Sequence, residues 1–200
     1  MGSEVKEEVA MVFTYGTLKK GFHNHRVLEE LVATGEAAFL GRCRTSIRYP
    51  LVCGPYRVPF LLDLPGCGRR VSGELYSVSS GRALSLLDEL EGTSRGHYQR
   101  RPIEVEVVEP AEEEGEGEGE GEGEGEGEEE ERKRRRKTRR RAEAYYADSR
   151  YAMEMWNKCG KEGYESYTEE VARGYVKRGD RPPHLSFLDH IRFFLSSSSS

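Results

Sequence analysis

The chain has 200 residues, of which 36% are hydrophobic and 34% charged, and its formal net charge is −5. This length suits one ordinary domain, and no apolar run approaches the roughly 18 residues that a membrane-spanning helix requires. The first residues, MGSEVKEEVAMVFTYG, are acidic where a secretory signal would be basic and then apolar. We therefore expect a cytoplasmic protein without a membrane span.

The four cysteines show neither CxxC spacing nor a companion pair of histidines; they are Cys43, Cys53, Cys67 and Cys159. In a reducing compartment this pattern indicates free thiols rather than a disulfide framework or a zinc site.

Much of the charge lies in one internal stretch. Residues 111–131 hold 13 of the 36 acidic side chains and residues 132–141 hold 9 of the 31 basic ones, which leaves 23 acids and 22 bases elsewhere. Gly and like-charged neighbours cannot offset the entropy of ordering, so residues 111–141 are predicted to be a disordered insertion in a hairpin. Because loop-closure entropy grows slowly with length, we expect one domain over residues 1–200, interrupted by this insertion and ending in a frayed tail at 196–200.

Taken in chain order, the rest of the sequence predicts short strands with a few helices. Asn24 is a candidate cap for a first helix, Gly92 stops a second, and a PP pair separates two helices near the end. Strands are predicted at 12–15, 37–44, 58–64, 71–78, 103–109 and 142–147, and helices at 24–31, at 80–90 and on each side of the PP pair in EEVARGYVKRGDRPPHLSFLDHIRFFL. This order favours an α+β fold built on a curled sheet or small barrel.

The helix in SSGRALSLLDELEG places an acidic side chain among apolar ones. At 100° per residue, Glu91 projects between Leu84 and Leu87, whereas Asp88 and Glu89 fall outside the apolar arc. Desolvation disfavours the charged form of a carboxyl group, so the pKa of Glu91 should rise toward neutrality, as a general base requires. Alternatively, Glu91 closes the helix and pairs with an arginine.

A second candidate is the stretch VFTYGTLKKG, where a strand breaks at Tyr15-Gly16-Thr17-Leu18. A strand that ends in Gly-Thr exposes unpaired backbone N–H groups, and glycine lets another molecule approach the main chain. Such groups bind carboxylates or stabilise an oxyanion. The alternative is an ordinary strand-to-loop turn.

Together these stretches resemble the γ-glutamylcyclotransferase superfamily, in particular its plant avirulence-induced-gene-2-like branch, whose relatives include γ-glutamylaminecyclotransferase. The resemblance rests on TYGTLKKGFHNHRVL, YPLV, GPYRVPFLLDLPGCG, VSGELYSV, LLDELEG, HYQR and ARGYVKRGDRPPHLSFLDHIRFF. It implies a small mixed β-barrel flanked by helices. Tyr98, in HYQR, matches a tyrosine-x-arginine element of relatives and is assigned no role.

The resemblance also implies an activity, the cyclisation of a γ-glutamyl compound to 5-oxoproline with release of an amine or amino acid, most readily from γ-glutamyl amines. Tyr15, Gly16, Thr17 and Leu18 would bind the γ-glutamyl group and Glu91 would be the proton acceptor. No metal or organic cofactor is expected, and the partner is a small molecule rather than a membrane or nucleic acid.

Other signals are weaker or point elsewhere. His23 and His25 supply two metal ligands at best, and Cys67 lacks a histidine base. The basic run at 132–141 could address nucleic acid, an acidic partner or nuclear import, although the adjacent glutamates compete with such binding. The competing hypothesis is therefore a catalytically silent interaction module that uses the charged insertion.

Overall fold

The computed structural model of the protein describes residues 9–108 and 139–197. Most of the predicted insertion, at residues 111–138, lies outside the described residues, as do residues 198–200 of the predicted tail. Within the described part, no helix is both long and apolar enough to span a bilayer.

Five strands close into a mixed barrel, and a two-strand hairpin extends it. The order is β1-β5-β2-β6-β7, and a parallel pairing between β1 and β7, with Val12 opposite Glu143, completes the circle. The hairpin of β3 and β4 joins the barrel through a parallel pairing of β4 with β7. The strands are β1 Ala10–Thr14, β2 Ala37–Thr45, β3 Leu51–Cys53, β4 Pro59–Leu61, β5 Ser72–Val78, β6 Tyr98–Val107 and β7 Arg139–Ala147. The predicted α+β fold with a small mixed barrel is confirmed.

The strand β7 begins three residues earlier than predicted, so residues 139–141 belong to the barrel and not to the insertion. Cross-strand charge explains the difference. Arg139 lies opposite Glu106 and forms an ion pair with it at 3.3 Å, and Arg141 lies opposite Glu104. Opposite charges on paired strands stabilise the pairing, which the basic composition of this stretch concealed.

In the described part of the chain, four helices accompany the barrel: α1 His25–Ala33, α2 Gly81–Glu91, α3 Ser149–Lys158 and α4 Phe187–Ser196. Helix α3 was not predicted, although Asp148 caps it by accepting a hydrogen bond from the Arg150 N–H at 3.0 Å. The helix predicted before the PP pair is wrong over EEVARG. A single turn forms there, because Gly174, at φ 90°, leaves the helical region of backbone space.

The apolar side chains divide into two clusters because neighbouring residues on a strand face opposite sides. One cluster combines strand residues such as Val12 and Tyr145 with residues of all four helices, including Leu87 and Met155. The other joins the opposite strand faces, for example Phe13, to the segment around Tyr167. The helices are thus held against one side of the strands.

All four cysteines are free, as their spacing predicts. Burial raises the pKa of the Cys43 thiol to about 12 and that of Cys53 to about 11, so both stay protonated near neutral pH.

Candidate active site

A cavity of about 320 Å³ lies beside the end of β1, and it contains all five residues that the sequence singled out. Tyr15, Gly16, Thr17 and Leu18 form one wall, and Glu91 lies at another. A third wall comes from the segment between residues 175 and 181, far along the chain. A mostly pre-formed concave site of this size suits a small molecule.

The loop after β1, residues 15–18, is held by neighbours on both sides. A Cβ at Gly16 would lie 2.7 Å from Cγ of Pro59, so only glycine fits between the loop and β4. On the other side Asn24 donates from Nδ2 to Oγ1 of Thr17 at 2.9 Å, and its main-chain N–H donates to the Thr17 carbonyl at 3.1 Å. The predicted cap residue thus fastens the loop instead of capping α1 with its side chain.

The main-chain N–H groups of Gly16, Thr17 and Leu18 find no acceptor within the part of the chain that the structure describes. All three residues line the cavity. Backbone donors without a protein partner beside a cavity are available to an anionic or carbonyl oxygen of a ligand.

Tyr15 connects the loop to the barrel. Its ring is buried and its hydroxyl donates to the main-chain carbonyl of Tyr145 at 2.5 Å. The hydroxyl of Tyr145 in turn donates to Oδ1 of Asp88 at 2.9 Å, and Arg100 donates to the same oxygen at 2.9 Å. The loop and helix α2 are therefore linked by one chain of hydrogen bonds.

Glu91 is the last residue of α2, and the local sequence explains this position. Ser80 caps the start of the helix by accepting a hydrogen bond from the Ala83 N–H at 3.0 Å. Gly92 ends the helix in the left-handed conformation, at φ 65°, where a Cβ would also lie 2.4 Å from Nδ1 of His97. The helix therefore stops where its final side chain reaches the cavity.

Burial raises the pKa of the Glu91 carboxyl to about 7, and the nearby Arg178 guanidinium opposes this rise. No ion pair joins Glu91 to an arginine among the described residues, so the alternative of a simple helix-end salt bridge finds no support there. A carboxyl group with a pKa near 7 can accept and return a proton at neutral pH.

Two aromatic residues were not placed in the site by the sequence: His97, just before β6, and Tyr98, its first residue. Tyr98 lines the cavity, stacks on Phe60 and donates from its hydroxyl to the Pro59 carbonyl at 3.0 Å. Burial and two arginines lower the pKa of His97 to about 4, and Arg178 donates to its Nδ1 at 3.5 Å. Since arginine can only donate, this His97 ring is neutral.

Arg178 and Tyr175 also line the cavity. They lie in ARGYVKRGDRPP, which the sequence offered only as part of a family resemblance, and no spacing connects them to residues 15–18 or to Glu91.

His25, one of the two histidines that suggested a metal site, contacts the main chain of the loop. Nδ1 of His25 lies 2.9 Å from the Leu18 carbonyl oxygen, so this ring joins α1 to the loop. Among residues 9–108 and 139–197, no three His, Cys, Asp or Glu side chains form a cluster able to hold a metal ion.

Comparisons with known proteins identify the family of the chain. Residues 12–120 match the family model "Gamma-glutamyl cyclotransferase, AIG2-like". The chain is 54% identical over 187 residues to an Arabidopsis thaliana protein named "Putative gamma-glutamylcyclotransferase At3g02910", covering 94% of this chain and 92% of that one. It is 49% identical over 102 residues to human γ-glutamylaminecyclotransferase, covering 50% of this chain and 65% of the human protein.

The crystal structure of an AIG2-like protein from Mus musculus superimposes with a TM-score of 0.63 and 31% sequence identity, covering 87% of this chain and 99% of the mouse chain. The match to the family model includes the loop at residues 15–18, the helix that ends in Glu91, and five of the seven strands in full. The chain belongs to the AIG2-like γ-glutamylcyclotransferase family of enzymes.

Proposed function

We propose that the protein is a γ-glutamylcyclotransferase that converts a γ-glutamyl amine to 5-oxoproline and a free amine. The observation that carries this proposal is Glu91, a carboxyl group with a pKa of about 7 in the same cavity as three backbone N–H groups that have no acceptor among the described residues. Membership of the family supports the reaction class. The similarity to the human protein named γ-glutamylaminecyclotransferase supports amines as leaving groups.

The substrate contains both reacting groups. Its α-nitrogen attacks its own γ-carbonyl carbon, which closes a five-membered ring, and the bond from that carbon to the departing nitrogen then breaks. No water is consumed. At neutral pH two protons leave the α-ammonium nitrogen in total and two reach the departing amine, so the reaction has no net proton change.

Each part of the site has a task in this reaction. Glu91 accepts a proton from the α-nitrogen and returns one to the leaving nitrogen, a transfer that typically contributes about 10²–10⁴-fold. The N–H groups of Gly16, Thr17 and Leu18 bind the head group and offset the charge on the γ-oxygen. Holding the substrate curled is the larger effect, since oriented intramolecular attack can supply roughly 7–11 kcal/mol.

The test is release of 5-oxoproline from γ-glutamyl-ε-lysine, glutathione and γ-glutamyl-alanine by the parent protein, Glu91→Gln and Glu89→Gln. Glu91→Gln keeps the size of the side chain and removes its basicity, so kcat should fall by about 10²-fold or more. Glu89 is exposed on the same helix and its variant should match the parent. Equal turnover by Glu91→Gln would exclude Glu91 as the base, and silence of the folded parent on all three would exclude the activity.

A further inference from the structure

The ring of His97 occupies a fixed position at the edge of the cavity. The main-chain N–H of His97 donates to the Gly92 carbonyl at 3.1 Å, and its main-chain carbonyl accepts a hydrogen bond from the Tyr151 hydroxyl. The ring is buried against Gly92 on one side and packs on Phe187 on another, with ring centroids 4.2 Å apart. Both the backbone and the ring of His97 are therefore held in place.

Arg178 depends on this ring for its position. In the part of the chain that the structure describes, its only hydrogen bond is the one to Nδ1 of His97, at 3.5 Å, and it forms no ion pair. Partial burial, Arg95 and Arg181 together lower the pKa of its guanidinium, and Glu91 opposes them only in part. Fixing a long arginine side chain also costs conformational entropy. Without the acceptor on His97, this side chain would be free to turn toward solvent.

His97 can accept a hydrogen bond from an arginine only while its ring is neutral. Burial, Arg178 and Arg95 lower the pKa of His97 to about 4, so the ring carries no charge over the pH range in which Glu91 titrates. Because Nδ1 accepts, the ring proton lies on Nε2. The histidine beside two arginines is thus kept as an acceptor instead of becoming a third cation.

The position of Arg178 matters because its charge acts on Glu91. Burial raises the pKa of the Glu91 carboxyl to about 7, and the Arg178 guanidinium opposes this rise. Tyrosines also surround Glu91, but burial raises the pKa of each, so they carry no charge at neutral pH; they are Tyr15, Tyr98, Tyr145, Tyr151 and Tyr175. His23 also lines the cavity, and it is unchanged in every variant compared below.

We propose that His97 is a positioning residue for the reaction: its Nδ1 holds the Arg178 cation beside Glu91, where this cation favours the ionised form of the base. The inference rests on the proposed cyclotransferase activity, in which Glu91 accepts a proton from the substrate. His97 acts through Arg178 and not on the reacting atoms. The contact makes the buried carboxylate available at a lower pH than burial alone would allow.

The pH profile of kcat/KM for 5-oxoproline release tests this role. His97→Phe removes the acceptor and keeps a flat ring against Phe187, whereas His97→Asn places an oxygen acceptor near the position of Nδ1. In His97→Phe, kcat/KM should fall by roughly threefold at about pH 6 and by less than about twofold at about pH 9, where Glu91 is ionised in both proteins. His97→Asn should follow the parent. His97→Leu, which also lacks an acceptor, replaces His97→Phe if that variant does not fold.

A double variant shows through which residue His97 acts. Arg178→Gln should move the profile in the same direction as His97→Phe. Adding His97→Phe to Arg178→Gln should move it no further, because the contact is already lost. His184→Phe is the matched control, since His184 is exposed and does not line the cavity, and its profile should match that of the parent.

The outcomes are distinguishable. An unchanged profile in His97→Phe, a loss of equal size at every pH, or an additive effect in the double variant would overturn the proposal and leave the cyclotransferase activity standing. The same change of profile in His97→Asn would also overturn it. A change in His97→Phe that is absent from His97→Asn and from the comparison of the double variant with Arg178→Gln would support it. Failure of the folded parent to release 5-oxoproline from γ-glutamyl-ε-lysine, glutathione or γ-glutamyl-alanine would overturn both proposals.

Discussion

The loop at residues 15–18 and the wall formed by Lys177, Arg178 and Arg181, which we call the cationic wall, line the same cavity but are built differently. The loop offers backbone N–H groups, is wedged against Pro59 and is tied to the barrel through Tyr15. The cationic wall offers long side chains on a short turn, and Arg178 and Lys177 are exposed. A rigid backbone site suits the γ-glutamyl head group, which is the same in every substrate. Side chains on a turn can adapt to different leaving groups.

The largest effect should follow from disturbing the loop at residues 15–18, which is the rigid wall of the cavity. Gly16→Ala places a Cβ 2.7 Å from Cγ of Pro59, and a ring fixed in β4 cannot move aside easily. The loop should shift and misplace the substrate, which can cost about 10²-fold in kcat/KM. Gly81→Ala is the control, because a Cβ there meets nothing within 4 Å. Normal activity in Gly16→Ala would show that the loop tolerates displacement.

The pH dependence of kcat/KM should follow the ionisation of Glu91, the proposed base. With a Glu91 pKa of about 7, kcat/KM should rise with pH and level off above that value, because only the ionised carboxylate accepts a proton. Arg178→Gln should move this limb to higher pH, since the Arg178 charge lowers the Glu91 pKa. A limb near the usual pKa of a glutamate, about 4.3, would contradict the assignment.

Stability should show a matching pH dependence. Because the folded pKa of Glu91 is raised, its favourable contribution is complete at low pH and is lost as pH rises from about 4.5 to about 7. His97 acts in the opposite direction, since its pKa is lowered and folding loses stability as pH falls from 6.5 toward about 4. The difference in unfolding free energy between the parent and Glu91→Gln cancels the His97 contribution and should change only through the Glu91 window. Chemical denaturation at several pH values measures it.

A smaller change in activity, with a clear cost in stability, is expected for Asp88→Asn. Asp88 accepts hydrogen bonds from Tyr145 and Arg100 beneath the rigid wall. Weakening these contacts should lower the free energy of unfolding by about 1–3 kcal/mol. Asp88 is therefore a poor control for Glu91, and Glu89→Gln is the cleaner choice. An unchanged denaturation midpoint would show that this network adds nothing to stability.

The smallest effect should come from replacing residues 111–138 by a short turn. The pairing of β6 with β7 extends to Glu106 and Arg139, so a turn can join the strands, and the described residues that line the cavity belong to other parts of the chain. We expect kcat/KM within about twofold of the parent. A large loss of activity would contradict this expectation. If the parent instead showed nucleic-acid binding that withstands about 200 mM salt and the shortened variant lost it, the interaction-module hypothesis would be favoured.

The two walls also differ in how far the sequence predicted them. The position of Glu91 could be predicted because a single helix, with Ser80 and Gly92 at its ends, determines which way its side chains point. The glycine break at residues 15–18 was likewise a local signal. The cationic wall depends on a turn brought beside α2 by contacts between residues far apart in the chain, such as Arg178 with His97, and no local periodicity records such contacts.

The closure of the barrel has a consequence for how the enzyme is made. β1 pairs in parallel with β7, more than a hundred residues later, and the hydroxyl of Tyr15 donates to the main-chain carbonyl of Tyr145. During synthesis from the N-terminus, the loop at residues 15–18 therefore leaves the ribosome long before the strand that anchors it. The head-group site can form only once β7 has emerged, and the cationic wall follows later still. Such long-range closure slows folding, so the acquisition of catalytic competence should be a late event in the life of each new chain.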